Sequence, residues 1–223
     1  MVLDVTTNRE RNLADVDTVH TGASVLRWSW DDTEIVYQEL GGIFALSTTD
    51  GSRRLLARVA LRDETKTWKD LVVHSLDWLH ERSQVVADVS DCVAMREQGK
   101  CEYQHHVMLS SGDRLRPLAM GTGVAVSPTG DRIAFATKDS LQIIDADGSN
   151  RRPLVSVPRV PLFPWVREDT EQSRLVWSPN GNRLWFGTAG GEEYSTTQYL
   201  VDVQRGTRRR VVSDGFVEIV AWR

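Results

Sequence analysis

The sequence predicts an all-β chain, a β-propeller of four-stranded antiparallel blades, and three observations point there. Short alternating apolar runs are separated throughout by turns rich in Gly, Pro, Asn and Asp. The start of the pattern recurs at intervals of about 45–50 residues, the period of propeller blades. The fourth run of each copy is rich in Arg, as suits an outer edge that must not pair with another chain.

The stretch from Val124 to Val155 is the clearest copy. Val124 and Val126 begin it, Ser127-Pro128-Thr129-Gly130-Asp131 turns, and Ile133 and Phe135 alternate in a second run. Leu141, Ile143 and Ile144 form a third run, closed by Asp145-Ala146-Asp147-Gly148. Arg151-Arg152-Pro153-Leu154-Val155 is the fourth. A single meander of this kind cannot bury both faces alone and needs neighbours like itself.

Those neighbours align with it. Trp177-Ser178-Pro179-Asn180-Gly181 and Trp28-Ser29-Trp30-Asp31-Asp32 match the first turn, and Trp78-Leu79-His80-Glu81-Arg82 matches it more weakly. Second strands read Ile35-Val36-Tyr37, Val85-Val86-Ala87, Ile133-Ala134-Phe135 and Leu184-Trp185-Phe186. Fourth strands include Arg53-Arg54-Leu55-Leu56, Arg114-Leu115-Arg116-Pro117 and Arg208-Arg209-Arg210-Val211. The blades are expected at about 23–58, 72–119, 122–156 and 173–213, in one domain over residues 1–223. Val2 to Leu13 matches Leu200 to Val211, so the chain opens with a third and a fourth strand. Val220-Ala221-Trp222-Arg223 is a further start. A split blade of residues 1–14 with 217–223 would close a five-bladed ring, or the chain is a segment of a larger propeller.

On these residues the chain resembles the TolB-type (WD40-like, PD40) β-propeller repeat, also found in propellers of prolyl-oligopeptidase and dipeptidyl-peptidase relatives. The resemblance rests on Val124 to Leu154 and on Trp177 to Val211 with its Ser178-Pro179-Asn180-Gly181 turn. It implies the fold and little about function, because such propellers serve many binding roles. The second copy lacks the Ser-Pro-x-Gly turn, and the Gly-His and Trp-Asp signatures of WD40 blades are absent.

Composition narrows the classes. With 40% hydrophobic and 26% charged residues, the 223-residue chain is an ordinary globular one. A net charge of -4 argues against non-specific nucleic-acid binding. No apolar run approaches the ~20 residues of a membrane span. The first residues, MVLDVTTNRERNLADV, do not read as a signal peptide.

Meander topology then sorts the loops. First–second and third–fourth turns share one end, the bottom, and all are short. The long segments Asp15–Gly22, Val59–Leu71, Asp91–Cys101, Val157–Gln172 and Gly187–Thr197 all map to the top. Long loops gathered at one end of a rigid scaffold are the expected binding face. Phe163, Trp165 and Arg167, on a proline-stiffened loop, suit a protein or peptide partner. Glu192, Glu193 and Tyr194 are candidates for a cationic group, and Trp68 sits in the charged stretch LRDETKTWKD.

Cys92 and Cys101 bracket the hairpin loop of the second blade. A register that sets Cys92 opposite Cys101, Ser90 opposite Tyr103 and Asp88 opposite His105 would allow a cross-strand disulfide, and with it an extracytoplasmic, oxidising compartment. His105 and His106 point to opposite faces, and no metal-ligand spacing appears. There is no G-x-S-x-G elbow, P-loop or dinucleotide fingerprint. The expectation is a non-catalytic scaffold without a cofactor that binds a protein or peptide through its top loops. The alternatives are the substrate-gating propeller of a larger prolyl-oligopeptidase-like hydrolase, and a small-molecule or carbohydrate binder. An open ring would favour a homodimer.

Overall fold

In the Val124–Val155 copy, alternate residues face opposite ways and both sets are buried. Val124, Val126, Ile133, Phe135 and Ile144 pack on the sheet before, and Ala125, Ala134, Ala136, Leu141 and Ile143 pack on the sheet after. Period-two alternation thus sends one strand's side chains into two cores. The computed structural model describes residues 2–4, 9–11, 26–29, 31–39, 41–59, 71–79, 83–95, 101–157, 175–189 and 196–212. Among them all regular structure is β.

Strands β1 (Val2–Asp4) and β2 (Arg9–Arg11) form an antiparallel hairpin. The first meander is β3 (Leu26–Trp28), β4 (Glu34–Glu39), β5 (Gly42–Ser47) and β6 (Arg53–Arg58). The second is β7 (Leu71–Leu79), β8 (Gln84–Met95), β9 (Cys101–Ser111) and β10 (Arg114–Met120). The third is β11 (Thr122–Val126), β12 (Arg132–Ala136), β13 (Ser140–Asp145) and β14 (Arg152–Ser156). The fourth is β15 (Leu175–Trp177), β16 (Arg183–Ala189), β17 (Thr196–Asp202) and β18 (Thr207–Val212).

The first two meanders are not separate sheets, as the repeat alone would suggest. Their outer strands β6 and β10 meet at one parallel bridge, Arg58 opposite Arg114, and make a single eight-stranded sheet. Arg58 holds this junction twice: its N–H donates to the Asp113 carbonyl at 2.7 Å, and its guanidinium pairs with the Asp113 carboxylate at 3.2 Å.

Three cores follow in sequence. Val36, Ile43 and Leu56 meet Leu76, Trp78 and Val85 between the first and second meanders. Val86, Val107 and Leu109 meet Ile133 and Phe135 between the second and third. Ala134, Leu141 and Ile143 meet Trp177, Leu184 and Phe186 between the third and fourth. The Trp that starts a copy packs on the copy before it: Trp177 is 6% exposed and Trp78 is 3% exposed. Trp28, at the same place in the first meander, is 48% exposed.

Two local devices repeat. Ser29, Ser127 and Ser178 are buried, and each hydroxyl accepts the backbone N–H five residues on, at 2.9 to 3.0 Å. This staple satisfies a buried polar group and fixes the first turn. The left-handed position of that turn is held by Gly130 and Gly181, while the first copy places Asp32 there, at φ 58°. In addition, every pairing of a third strand with a fourth carries a register shift. A bulge at the same place in each meander twists the outer strand.

Several expectations lie outside the described residues. These are the terminal segment 217–223, which the split blade requires, and the loop residues Trp68, Phe163, Trp165, Arg167, Glu192, Glu193 and Tyr194.

Candidate functional site

A first strand pairs with its second strand along one edge only, so N–H groups on its other edge need acceptors. For β11 the second meander supplies them. Gly123 N–H donates to Asp88 Oδ2 at 2.8 Å, Val124 N–H to Ser75 Oγ at 3.0 Å, and Val126 N–H to Asp77 Oδ2 at 2.7 Å. Ser75 and Asp77 come from β7, and Asp88 from β8. Three side chains of one meander thus hold the inner edge of the next.

Asp88 is the centre of a larger network and is 1% exposed. Its Oδ2 also accepts the Thr122 hydroxyl at 2.7 Å, and its Oδ1 meets His105 Nδ1 at 3.0 Å. The His105 ring lies 4.6 Å, centroid to centroid, from that of His74. Nε2 of His74 is 2.7 Å from Ser90 Oγ. Burial alone would raise the Asp88 pKa. The hydrogen bond and charge of His105, with the charge of His74 and the Gly123 N–H, hold it below the ordinary carboxylate value. Burial pushes His74 below the usual imidazole value, and the nearby Asp88 charge only partly offsets this.

A serine, two histidines and an aspartate invite comparison with nucleophilic catalysis, and the geometry argues against it. Ser90 is fully buried, so its hydroxyl cannot meet a substrate. The imidazole beside Ser90 is His74, whereas the one bonded to Asp88 is His105, so no continuous Ser–His–Asp relay forms. The arrangement is a polar clasp with its hydrogen bonds made, joining two sheets through one buried carboxylate.

The clasp includes Ser75 and Asp77, which sequence reasoning did not single out, and Asp88, which it named only as the register partner of His105. Asp88, Ser75 and Asp77 read as ordinary polar residues of alternating strands. The available signal was Asp88 itself, a carboxylate between Ala87 and Val89 in an otherwise apolar run.

The second hairpin needs a correction. Cys92 lies opposite Tyr103, Ser90 opposite His105 and Asp88 opposite Val107, while Cys101 faces Met95. The register is thus displaced from the Cys92–Cys101 alignment. A bulge between Cys92 and Ala94 sets it, and strand pairing continues to Met95 and Cys101, through most of the segment expected as loop. The side chains of both cysteines lie outside the described residues. A displacement of two residues keeps every side chain on its own face. For that reason Asp88 and His105 still meet, diagonally rather than directly.

No family model and no curated protein matches the sequence. Solved structures do. An oligogalacturonate lyase from Vibrio parahaemolyticus aligns with TM-score 0.60 at 11% identity, over 96% of this chain and 58% of that one. A putative TolB from Agrobacterium tumefaciens gives 0.53 at 15% identity, over 95% and 68%. Porphyromonas gingivalis dipeptidyl peptidase 4 gives 0.54 at 13% identity, over 88% and 34%. The fold is that of a β-propeller. At these identities the likeness concerns architecture alone. This chain spans about half the length of one oligogalacturonate lyase and a third of the peptidase.

Proposed function

We propose that this chain is a non-catalytic propeller scaffold, one domain over residues 1–223, that binds a protein or peptide through loops at one end. The supporting observation is the segregation of connections. Strand alternation puts the short turns 29–33, 48–52, 112–113, 127–131, 146–151, 178–182 and 203–206 at one end of the sheets. The longer connections 60–70, 96–100, 158–174 and 190–195 leave from the other, which also carries the short turn 137–139. Buried serines fix the turns 29–33, 127–131 and 178–182 at the first end, and long connections of a rigid scaffold are where binding usually sits.

The test is a peptide-display selection against the full chain, followed by binding to Trp165→Ala and Arg167→Ala. Loss of binding with an unchanged circular-dichroism spectrum supports the reading. Undiminished binding to both variants rejects it.

The β1–β2 hairpin would be the third and fourth strands of a split fifth blade if the chain closes a five-bladed ring, and the alternative is a segment of a larger propeller. Sedimentation tests this: a closed ring runs as a monomer, and an open arc pairs through its exposed first face. The likeness to dipeptidyl peptidase 4 favours a second reading, a substrate-gating propeller of a larger hydrolase. A nucleophile elbow encoded in the same gene beyond residue 223 would support it.

A further inference from the structure

The four outer strands are not equivalent as edges. That of β6 is occupied by the bridge to β10, and its arginines are neutralised: Arg53 pairs with Glu39 at 2.7 Å and Arg54 with Glu34 at 2.9 Å. Strand β10 carries Pro117 and β14 carries Pro153, and a proline has no N–H to offer another strand. Strand β18, Thr207-Arg208-Arg209-Arg210-Val211-Val212, has no proline. It is the last strand of its sheet, and residues 207–211 are all exposed.

Its charges stand on both faces. Arg208 lies 5.0 Å over the Tyr199 ring on one face, and Arg209, opposite Leu200, projects from the other. No carboxylate among the described residues pairs with Arg208 or Arg209. The turn that feeds β18 lies close against β14, because a Cβ on Gly206 would stand 2.8 Å from the Leu154 carbonyl. Strand β18 is hydrogen-bonded to β17 alone among the described strands.

We propose that the outer edge of β18 is a docking site for an acidic, extended segment of a partner protein, which adds to the fourth sheet as a fifth strand. Main-chain hydrogen bonds would supply affinity, and Arg208 and Arg209 would select carboxylates on alternate faces of the incoming strand. The same arginines would repel a second copy of this edge, which favours an acidic partner over self-pairing. This site is distinct from the loop end and does not depend on it.

The experiment titrates the full chain with a fluorescein-labelled peptide of about ten residues, the length of a long strand, alternating Glu with Val and Thr. A second peptide is identical but N-methylated at alternate residues along its pairing edge, and a third carries Lys in place of Glu. Saturable binding of the first, weakened at least about tenfold by N-methylation, by Arg209→Glu and by the Lys exchange, is the expected result. Equal binding of the methylated peptide means charge adhesion alone and overturns strand addition. Indifference to Arg209→Glu, or no binding of the first peptide, overturns the site. The methylated-peptide arm uses the unaltered protein, so it decides the matter even if the variant fails to fold.

Discussion

Asp88 of the second meander accepts the Thr122 hydroxyl of the third at 2.7 Å, with both residues buried. One carboxylate therefore links two sheets that share no strand pairing. Removing it leaves the Thr122 hydroxyl, the Gly123 N–H and His105 without their acceptor. Asp88→Ala should cost about 3 kcal/mol of stability, and Asp88→Asn less, because the amide retains one acceptor oxygen. Urea denaturation measures both, and an Asp88→Ala cost below about 0.5 kcal/mol would show that the clasp is not structural.

The same site sets a pH dependence. The His74 pKa in the fold lies below its unfolded value of 6.5, so the unfolded chain binds the proton more readily. His74 contributes nothing adverse above pH 6.5, and stability declines as pH falls through its folded pKa. Asp88, held below 3.8, adds a second loss at stronger acid. Melting temperature should therefore fall between neutral pH and the mildly acidic range, and His74→Gln should flatten that first decline. A profile of His74→Gln parallel to wild type would refute the assignment.

Trp177 and Trp28 occupy the same place in different copies. Trp177 is buried, donates from Nε1 to the Ala125 carbonyl at 3.1 Å and lies beneath Arg132, 5.3 Å away. Trp177→Phe should cost about 1–2 kcal/mol through that hydrogen bond and the cation–π contact. Trp28→Phe, at a half-exposed site, should stay within about 0.5 kcal/mol. Equal costs in thermal or urea unfolding would mean that Trp28 is covered in solution.

Gly121, at the entry to the third meander, has no room for a side chain. A Cβ there would stand 2.6 Å from Phe135 Cδ2 and 2.7 Å from the Ala136 carbonyl. Gly121→Ala should destabilise by about 2–3 kcal/mol through overpacking. Gly112, with nothing within 4 Å but φ at +62°, isolates backbone strain. Its alanine variant should cost only about 1 kcal/mol. Urea midpoints in the opposite order would contradict the packing at Gly121.

Much of the architecture was legible in the residue order. Ser127, Ser178 and Ser29 announce a turn because their own hydroxyls cap it, and Val124 to Phe135 announces strands because period two is a local property. The arginines of the fourth strands read as edge protection; the fold adds that Arg53 lies over Phe44, Arg151 over Phe135 and Arg208 over Tyr199, contacts the residue order does not show. The register of β8 on β9 was not legible, because the bulge beside Cys92 has no composition signal. The Trp of a first strand announced packing between sheets, but not that Trp28 would stay half-exposed, since that depends on which sheet lies before it.

By itself, then, the sequence determined most of the strands, their short turns and the repeat. These rest on residues a few positions apart, whose geometry the backbone dictates. Only the tertiary structure decided that Asp88 meets Thr122, that the His74 ring lies beside that of His105, and that β6 and β10 join while β18 pairs with no further strand among the described residues. Those contacts bring together groups from separate strands or separate meanders. They depend on how whole sheets settle against one another, with each buried polar group required to find a partner, and no local pattern encodes that.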